Sequence, residues 1–518
     1  MKPFKWRDLW GLFGLSLAVR LAVAVLVRRP GYMDVAYYAA GAARLAQGGG
    51  LNEPFLWNYL DDPVALPRPG FLYWMPLPSL LAGPFAFLFP GSFFALQLPF
   101  VLISALIPLI AYRVAWEIAG QRRTAWLAAL LTLFNGFFFP YWNLPETFAP
   151  FALWGSVALW LAGKWSGWRV GLLIGALVGL AHLTRADGIL LLPVVALAPL
   201  VSPRSRDTQR ATRLVIGCWA SIIFGYLIVM TPWFIRNLSV GGVLLSPAST
   251  RTLWLTDYDD LFCYSCDLSL RSYLAWGWHN ILNSKLSALW INFQHLLAED
   301  CMVFLLPFVL IGLYHLRRRA TFVVSTIYLF LLYLVHSLAF TFPGWRGSFF
   351  HSSGVVLPFL FGAGVEGLEA TVRWAARRRR WRLRQARAVF TTAAIVAAVV
   401  LSGYVTGQKL AAWRDTDVLY EEVGRWLTRE GLVDGAVMVA NPPAFWYHTE
   451  YPAVVVPNDD VEVLLTVADR YDVRYVLLDR NRPAALAGLY TGEKPHPLLQ
   501  PVAVWGEGEN RAILYALE

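Results

Sequence analysis

Long apolar blocks recur along the whole chain, at residues 9–27, 92–112, 124–140, 147–163, 170–183, 186–201, 214–232, 302–314, 321–340, 350–365 and 388–407. Each is long enough, or nearly so, to cross a hydrocarbon core of ~30 Å as a helix. Hydrocarbon offers no partner to a backbone N–H or C=O, so such blocks are confined to helices. The expected fold is a polytopic α-helical membrane protein with about eleven spans. Composition agrees, with 57% hydrophobic and 15% charged residues; a soluble chain needs more polar surface. Lys2, Lys5 and Arg7 before the first block resemble a signal-peptide start, but the many equally apolar blocks that follow favour an uncleaved first span.

The net charge of +10 sits mostly between the blocks. Cytoplasmic links collect Lys and Arg. With the N-terminus inside, every inner link is basic: Arg113, Arg122 and Arg123; Lys164 and Arg169; Arg204, Arg206, Arg210 and Arg213; Arg317 to Arg319; and Arg373 to Arg387. Residues 28–91 and 233–301 are then long outer loops, and the C-terminus is outside. This holds only if 71–90 does not cross, so Tyr73–Pro90 is read as a re-entrant or interfacial element. The run Arg377–Arg387 is read as an anchor beside anionic membrane lipids rather than a nucleic-acid patch.

Residues 1–407 form the membrane domain in this scheme. Residues 408–518 have ordinary charge density, short β-rich runs at Ala436–Ala440, Ala453–Val456 and Val473–Leu478, and a helical stretch at Val461–Tyr471. They predict a small extracytoplasmic α/β domain. It carries neither a Gly-rich phosphate loop nor metal-ligand spacing.

The topology brings polar residues from separate segments to one membrane face. They are Asp34, Glu146, Arg185 with Asp187, Arg236, and Arg346 with His351. Each has a plain alternative. Asp34 can cap the amphipathic helix 35–46. Glu146 can complement a helix dipole after Pro145. Arg185 and Arg236 can snorkel at span ends. His351 can be a satisfied polar residue at a helix start, and Asp187-Gly188 only a turn. Their joint placement is what those alternatives leave unexplained. Cys263 and Cys266 lack two further metal ligands, so a local disulfide or two unrelated thiols is expected. The stretch Trp254–Phe262 is expected to line or cover a site.

Four features together resemble the GT-C glycosyltransferases. They are an early outer-loop Asp34, the Tyr73-Trp-Met-Pro-Leu77 element, Glu146 at a later span start, and the Thr184-Arg-Ala-Asp-Gly188 turn. Similar families are the protein O-mannosyltransferases, the lipid A aminoarabinose transferases and the rhizobial galacturonosyltransferases. The resemblance covers roughly 1–370. It departs at Asp34, which Val35 follows where these families often carry a second acid. It implies inverting transfer of a sugar from a polyprenyl-phosphate donor to a lipid, glycan or protein acceptor outside a bacterial cytoplasmic membrane. Asp34 would be the general base. Arg185, Arg236 and Arg346 would hold the donor phosphate. Glu146 would either orient the acceptor or bind a divalent cation, Mg or Mn, with Asp34. His351 would hold the phosphate or the same cation. A flippase or transporter, and a membrane scaffold, are the rival readings. Against the transporter stand the absence of an internal repeat and the gathering of polar residues at one face instead of the midplane.

Overall fold

Helices form at most of the apolar blocks. They are α1 (Trp6–Leu26), α2 (Met33–Ala46), α3 (Leu77–Leu88), α4 (Phe93–Ala119), α5 (Arg122–Leu133), α6 (Phe148–Ala162), α7 (Trp168–Thr184), α8 (Thr208–Gly241), α9 (Trp278–His295), α10 (Leu306–Leu316), α11 (Ala320–Leu334), α12 (Leu357–Arg379) and α13 (Leu383–Trp413). The computed structural model describes residues 5–61, 63–201, 208–246, 248–414, 416–431 and 435–518. Arg204 and Arg206, and the side chains of Arg210 and Arg213, lie outside that description. Among the described residues, six helical stretches are long and apolar enough to cross a membrane, and shorter apolar helices accompany them.

Ion pairs gather the basic links at one end of the bundle. Arg122 binds Asp8 at 2.7 Å. Glu369 takes Arg123 and, at 3.0 Å, Arg387. Glu117 takes Lys164 and, at 3.0 Å, Arg113. Arg319 donates to the Glu117 carbonyl at 3.0 Å. These contacts join the starts of α1, α5, α11 and α13 to the ends of α4, α6 and α12, as alternating spans require. Arg20 is buried within α1 and donates to the carbonyls of Leu133 and Phe139 at 3.0 and 2.8 Å. It satisfies acceptors left open where α5 ends.

Residues 71–90 contain only the 12-residue α3 with an internal Pro84. Twelve residues rise about 18 Å, too little to cross. Helix α3 instead packs along α2, where Ser79 Oγ donates to the Tyr38 carbonyl at 2.9 Å. Helix α9 lies within the segment read as an outer loop. Its exposed Trp278, Leu282, Leu286 and Trp290 recur every fourth residue and make one apolar outward stripe.

Three further helices, α14 (Val418–Arg429), α15 (Pro442–Thr449) and α16 (Val461–Arg470), accompany the sheet. Its strands are β1 (Phe55–Leu56), β2 (Ala436–Val439), β3 (Ala453–Val455), β4 (Val473–Leu478), β5 (Leu499–Trp505) and β6 (Ala512–Leu517), in spatial order β1-β3-β2-β4-β6-β5. The expected strands and the α16 helix are present nearly residue for residue. The edge strand β1 comes from the first long loop and pairs in parallel with β3, Phe55 opposite Ala453. Leu56 and Tyr59 bury in the same core as Val454, Leu464 and Val476. The loop is locked internally by a buried Arg68, which binds Glu53 at 3.2 Å and Asp61 at 2.7 Å. Tyr37 of α2 and the Phe71 N–H also donate to Glu53. Arg29, just past α1, binds Glu421 of α14 at 2.9 Å. The helix bearing Asp34 is therefore held between the bundle and the sheet.

Candidate active site

At the end of the bundle opposite the basic links, Asp34, Glu146 and His351 meet. Asp34 lies in the first turn of α2, inside the helix and not at its N-cap position, which Tyr32 occupies. Glu146 precedes α6 in a segment of 3-10 turns and bends, where Pro145 keeps the preceding residue out of a helix. His351 follows a π turn in which Gly347 has φ 152°, a conformation that side chains resist. Its Nδ1 lies 2.9 Å from Glu146 Oε1 and its Nε2 3.9 Å from Asp34 Oδ2. The imidazole stacks on Phe148 with ring centres 3.9 Å apart. One ligand atom from each of the three residues falls within 4.8 Å of the others. Glu146 Oε2 is buried, and no hydrogen bond of standard geometry reaches it.

About a third of the Asp34 side chain is open to a cleft, yet the carboxyl sits deep among protein atoms. That burial pushes it up to about 6; His351 opposes the shift, Glu146 adds to it, and Arg185 also opposes it.

Arg185 ends α7 and is fixed on both sides. Its Nε donates to Asp187 Oδ1 at 3.1 Å and Ser352 Oγ at 3.0 Å, and Nη1 reaches Thr147 Oγ1 at 3.4 Å. Thr147 in turn contacts His351 Nδ1 at 3.2 Å. Asp187 also accepts from Ser352 and from His336 at 3.0 Å. The guanidinium is thus aimed, with part of its fork uncommitted, beside the acid–imidazole cluster. Arg346 lies over the Tyr258 ring at 5.2 Å and shares a cavity of about 1000 Å³ with Asp34. Tyr258, Asp259 and Phe262 line that cavity, as expected of the 254–262 stretch. Arg236 is placed elsewhere. It donates to the carbonyls of Leu51 and Gly70 at 3.2 and 2.8 Å and lies over Trp233, so it latches the first loop to α8.

Thr147, His336 and Ser352 were not singled out in the sequence. His336 alone carried a signal, as an imidazole inside an apolar block. Cys263 and Cys266 are joined in a disulfide. That loop docks on the sheet-bearing region through the Tyr264 N–H, 2.7 Å from Asp459.

The helical membrane bundle and the sheet-containing C-terminal region together share the fold of solved GT-C membrane proteins over nearly the whole chain. Among solved structures the protein is similar to ArnT from Cupriavidus metallidurans bound to undecaprenyl phosphate, with TM-score 0.57 and 14% identity over 99% of this chain and 98% of that one. It is also similar to the Archaeoglobus fulgidus oligosaccharyltransferase in complex with Zn and sulfate, with TM-score 0.53 and 12% identity over 98% of this chain and 73% of that one. No family model matches the sequence, and a search of curated proteins gives no match.

Proposed function

We propose that this protein is a glycosyltransferase that moves a sugar from a polyprenyl-phosphate donor to an acceptor at the membrane face carrying Asp34. The observation that carries the reading is one constellation: a carboxyl raised toward neutrality, a second acid and an imidazole within ligand distance, and a fixed arginine beside them, all at the end of an apolar bundle. The undecaprenyl phosphate bound to the similar ArnT structure supports the choice of donor.

The acceptor hydroxyl oxygen attacks the anomeric carbon while Asp34 takes its proton. The bond from that carbon to the phosphate oxygen breaks, and polyprenyl phosphate leaves with the electron pair. Attack opposite the leaving group inverts the anomeric centre. Arg185 stabilises the second negative charge that develops on the departing phosphate, and Arg346 assists from the cavity wall. Arg236 serves by holding the loop. Asp34, Glu146 and His351 fit a divalent cation, because one ligand atom from each converges within 4.8 Å. Such an ion would supply positive charge against phosphate oxygens. A histidine in the set suits Mn or Zn better than Mg.

The location follows the same reading. The protein sits in a bacterial cytoplasmic membrane with its basic links inside and the sheet outside, where the Cys263–Cys266 disulfide belongs in an oxidising space. The test is transfer of radiolabel from a panel of polyprenyl-phosphate sugars into membrane extract, with the Asp34→Asn variant in parallel. Transfer by wild type alone is expected. No transfer from any donor by folded protein would move the case to a flippase.

A further inference from the structure

The cavity that holds Asp34 has a second wall, formed by residues in which the sequence showed no chemistry. Strands β3, β2 and β4 run parallel, and the segments leaving their C-terminal ends all line it: Asn458 after β3, Asn441 after β2, and Asp479 to Arg482 after β4. The chain passes from β2 to β3 on one side and then to β4 on the other, so strand order reverses at β2. Open parallel sheets bind ligands in the crevice at such a reversal, outside the strand C-termini. Here the crevice faces the base. Among the Asp34, Glu146, His351 and Arg185 group, only Asp34 lines it.

That asymmetry separates the two substrates. On the transferase reading the donor's polyprenyl tail belongs in the apolar bundle and its phosphate at Arg185, outside the crevice lining, with Arg346 on the crevice wall where the two substrates would meet. The hydroxyl that gives its proton to Asp34 arrives from the crevice. The groups there are amides, a carboxylate and guanidinium forks, which give and accept hydrogen bonds in planar pairs suited to vicinal hydroxyls. Arg480 is exposed. Arg482 is packed on Tyr490 at 3.7 Å and donates to the Asp479 carbonyl, so it shapes the loop. Trp74 lines the wall, backed at 4.1 Å by the buried Trp57 stacked on it. At about 1000 Å³ the space is at the upper end for a small-molecule site and suits more than one sugar ring.

We propose that this crevice is the acceptor subsite and that it takes a saccharide, held by Asn441, Asn458 and the Asp479–Arg482 loop beside Trp74. The assignment of acceptor rests on the transferase reading; saccharide binding does not.

The experiment is ligand-observed NMR and calorimetry on the full-length protein in nanodiscs, titrated with neutral and phosphorylated di- and trisaccharides. Wild type is expected to bind at least one of them. The paired variant Asn458→Ala/Arg480→Ala, which changes two exposed side chains, is expected to weaken that binding at least tenfold with an unchanged thermal midpoint. Glu493→Gln, an exposed position outside the crevice, is expected to bind it as wild type does. Should the pair not fold, Arg480→Glu alone is expected to show the same loss. Binding by neither class of saccharide, or equal binding by wild type and the cavity variants, overturns the proposal. Binding that follows this pattern in a protein that transfers no sugar leaves the subsite standing and removes the transferase reading.

Discussion

Replacing Arg185 with Lys tests whether the fixed guanidinium serves the leaving phosphate. The charge is kept and the planar fork is lost. Two bonds from Nε, at 3.1 Å to Asp187 and 3.0 Å to Ser352, have no counterpart in a lysine pointing the same way, and the 3.4 Å contact to Thr147 is weak already. Asp187 keeps His336 and Ser352, so it is not stranded. The fold should therefore lose only about 1–2 kcal/mol. Catalysis should lose more. Removing one preorganised donor from a developing oxyanion costs about 10²–10³ in kcat, roughly 3–4 kcal/mol. The charge that Arg185 meets grows in the transition state, so kcat should fall while the donor KM shifts less than about threefold. Steady-state kinetics with a polyprenyl-phosphate sugar in nanodiscs, with thermal unfolding in parallel, measures both. A folded Arg185→Lys enzyme with kcat within about threefold of wild type would remove Arg185 from the phosphate role.

Asp34→Asn and Asp34→Ala should both insert and melt like wild type while turnover drops about 10²–10⁴-fold; an active Asn variant would sink the general-base role, since Asn keeps the shape of the side chain but cannot take the proton. Glu53→Ala should destabilise by about 3 kcal/mol, because it leaves the buried Arg68 with Asp61 alone and removes the acceptor of Tyr37, and Glu53→Met with Arg68→Met should recover part of that in denaturant unfolding. Wild type should retain one equivalent of Mn or Zn after gel filtration, and His351→Ala and Glu146→Gln should retain none; elemental analysis that finds no metal on wild type refutes the cation site.

The membrane class, the basic end and the short α3 were legible because each follows from hydropathy and charge, which act locally along the chain. Helix α9 was not. His279, Asn280, Asn283, Ser284 and Lys285 break its apolar run, and its lipid-type stripe appears only every fourth residue. Arg20 was passed over for the opposite reason: one arginine does not disturb an apolar window, and its carbonyl partners lie more than a hundred residues away. Topology put Asp34, Glu146, Arg185 and His351 at one membrane face, and the structure brings these four side chains together. Arg236 shares the same bundle end but turns toward Leu51 and Gly70, a direction that no spacing rule encodes. Strand β1 was invisible because two residues carry no pattern; only the partner strand β3, some four hundred residues on, makes them a strand.

The case against the transporter reading rested partly on a contrast that the structure sharpens. Broken helices mark transporter binding sites, and this bundle does contain breaks, at Ala186–Leu190, Val335–Ala339 and Gly344–Ser348. What matters is where they lie and what they hold. His336 from the second break and Ser352 just after the third both bind Asp187 from the first, and Asp187 fixes Arg185. The breaks thus converge on one arginine at the end of the bundle beside Asp34. A transporter needs its interrupted segments to move against each other as access alternates. Here they are cross-linked to one another, and α2 is tied to the sheet through the same loop that supplies β1. Rigid convergence on a charged group is what positioning for chemistry requires. Hydrogen exchange supplies the check: amides at 335–348 should be as protected as those of α12, whereas a rocking bundle would leave them among the first to exchange.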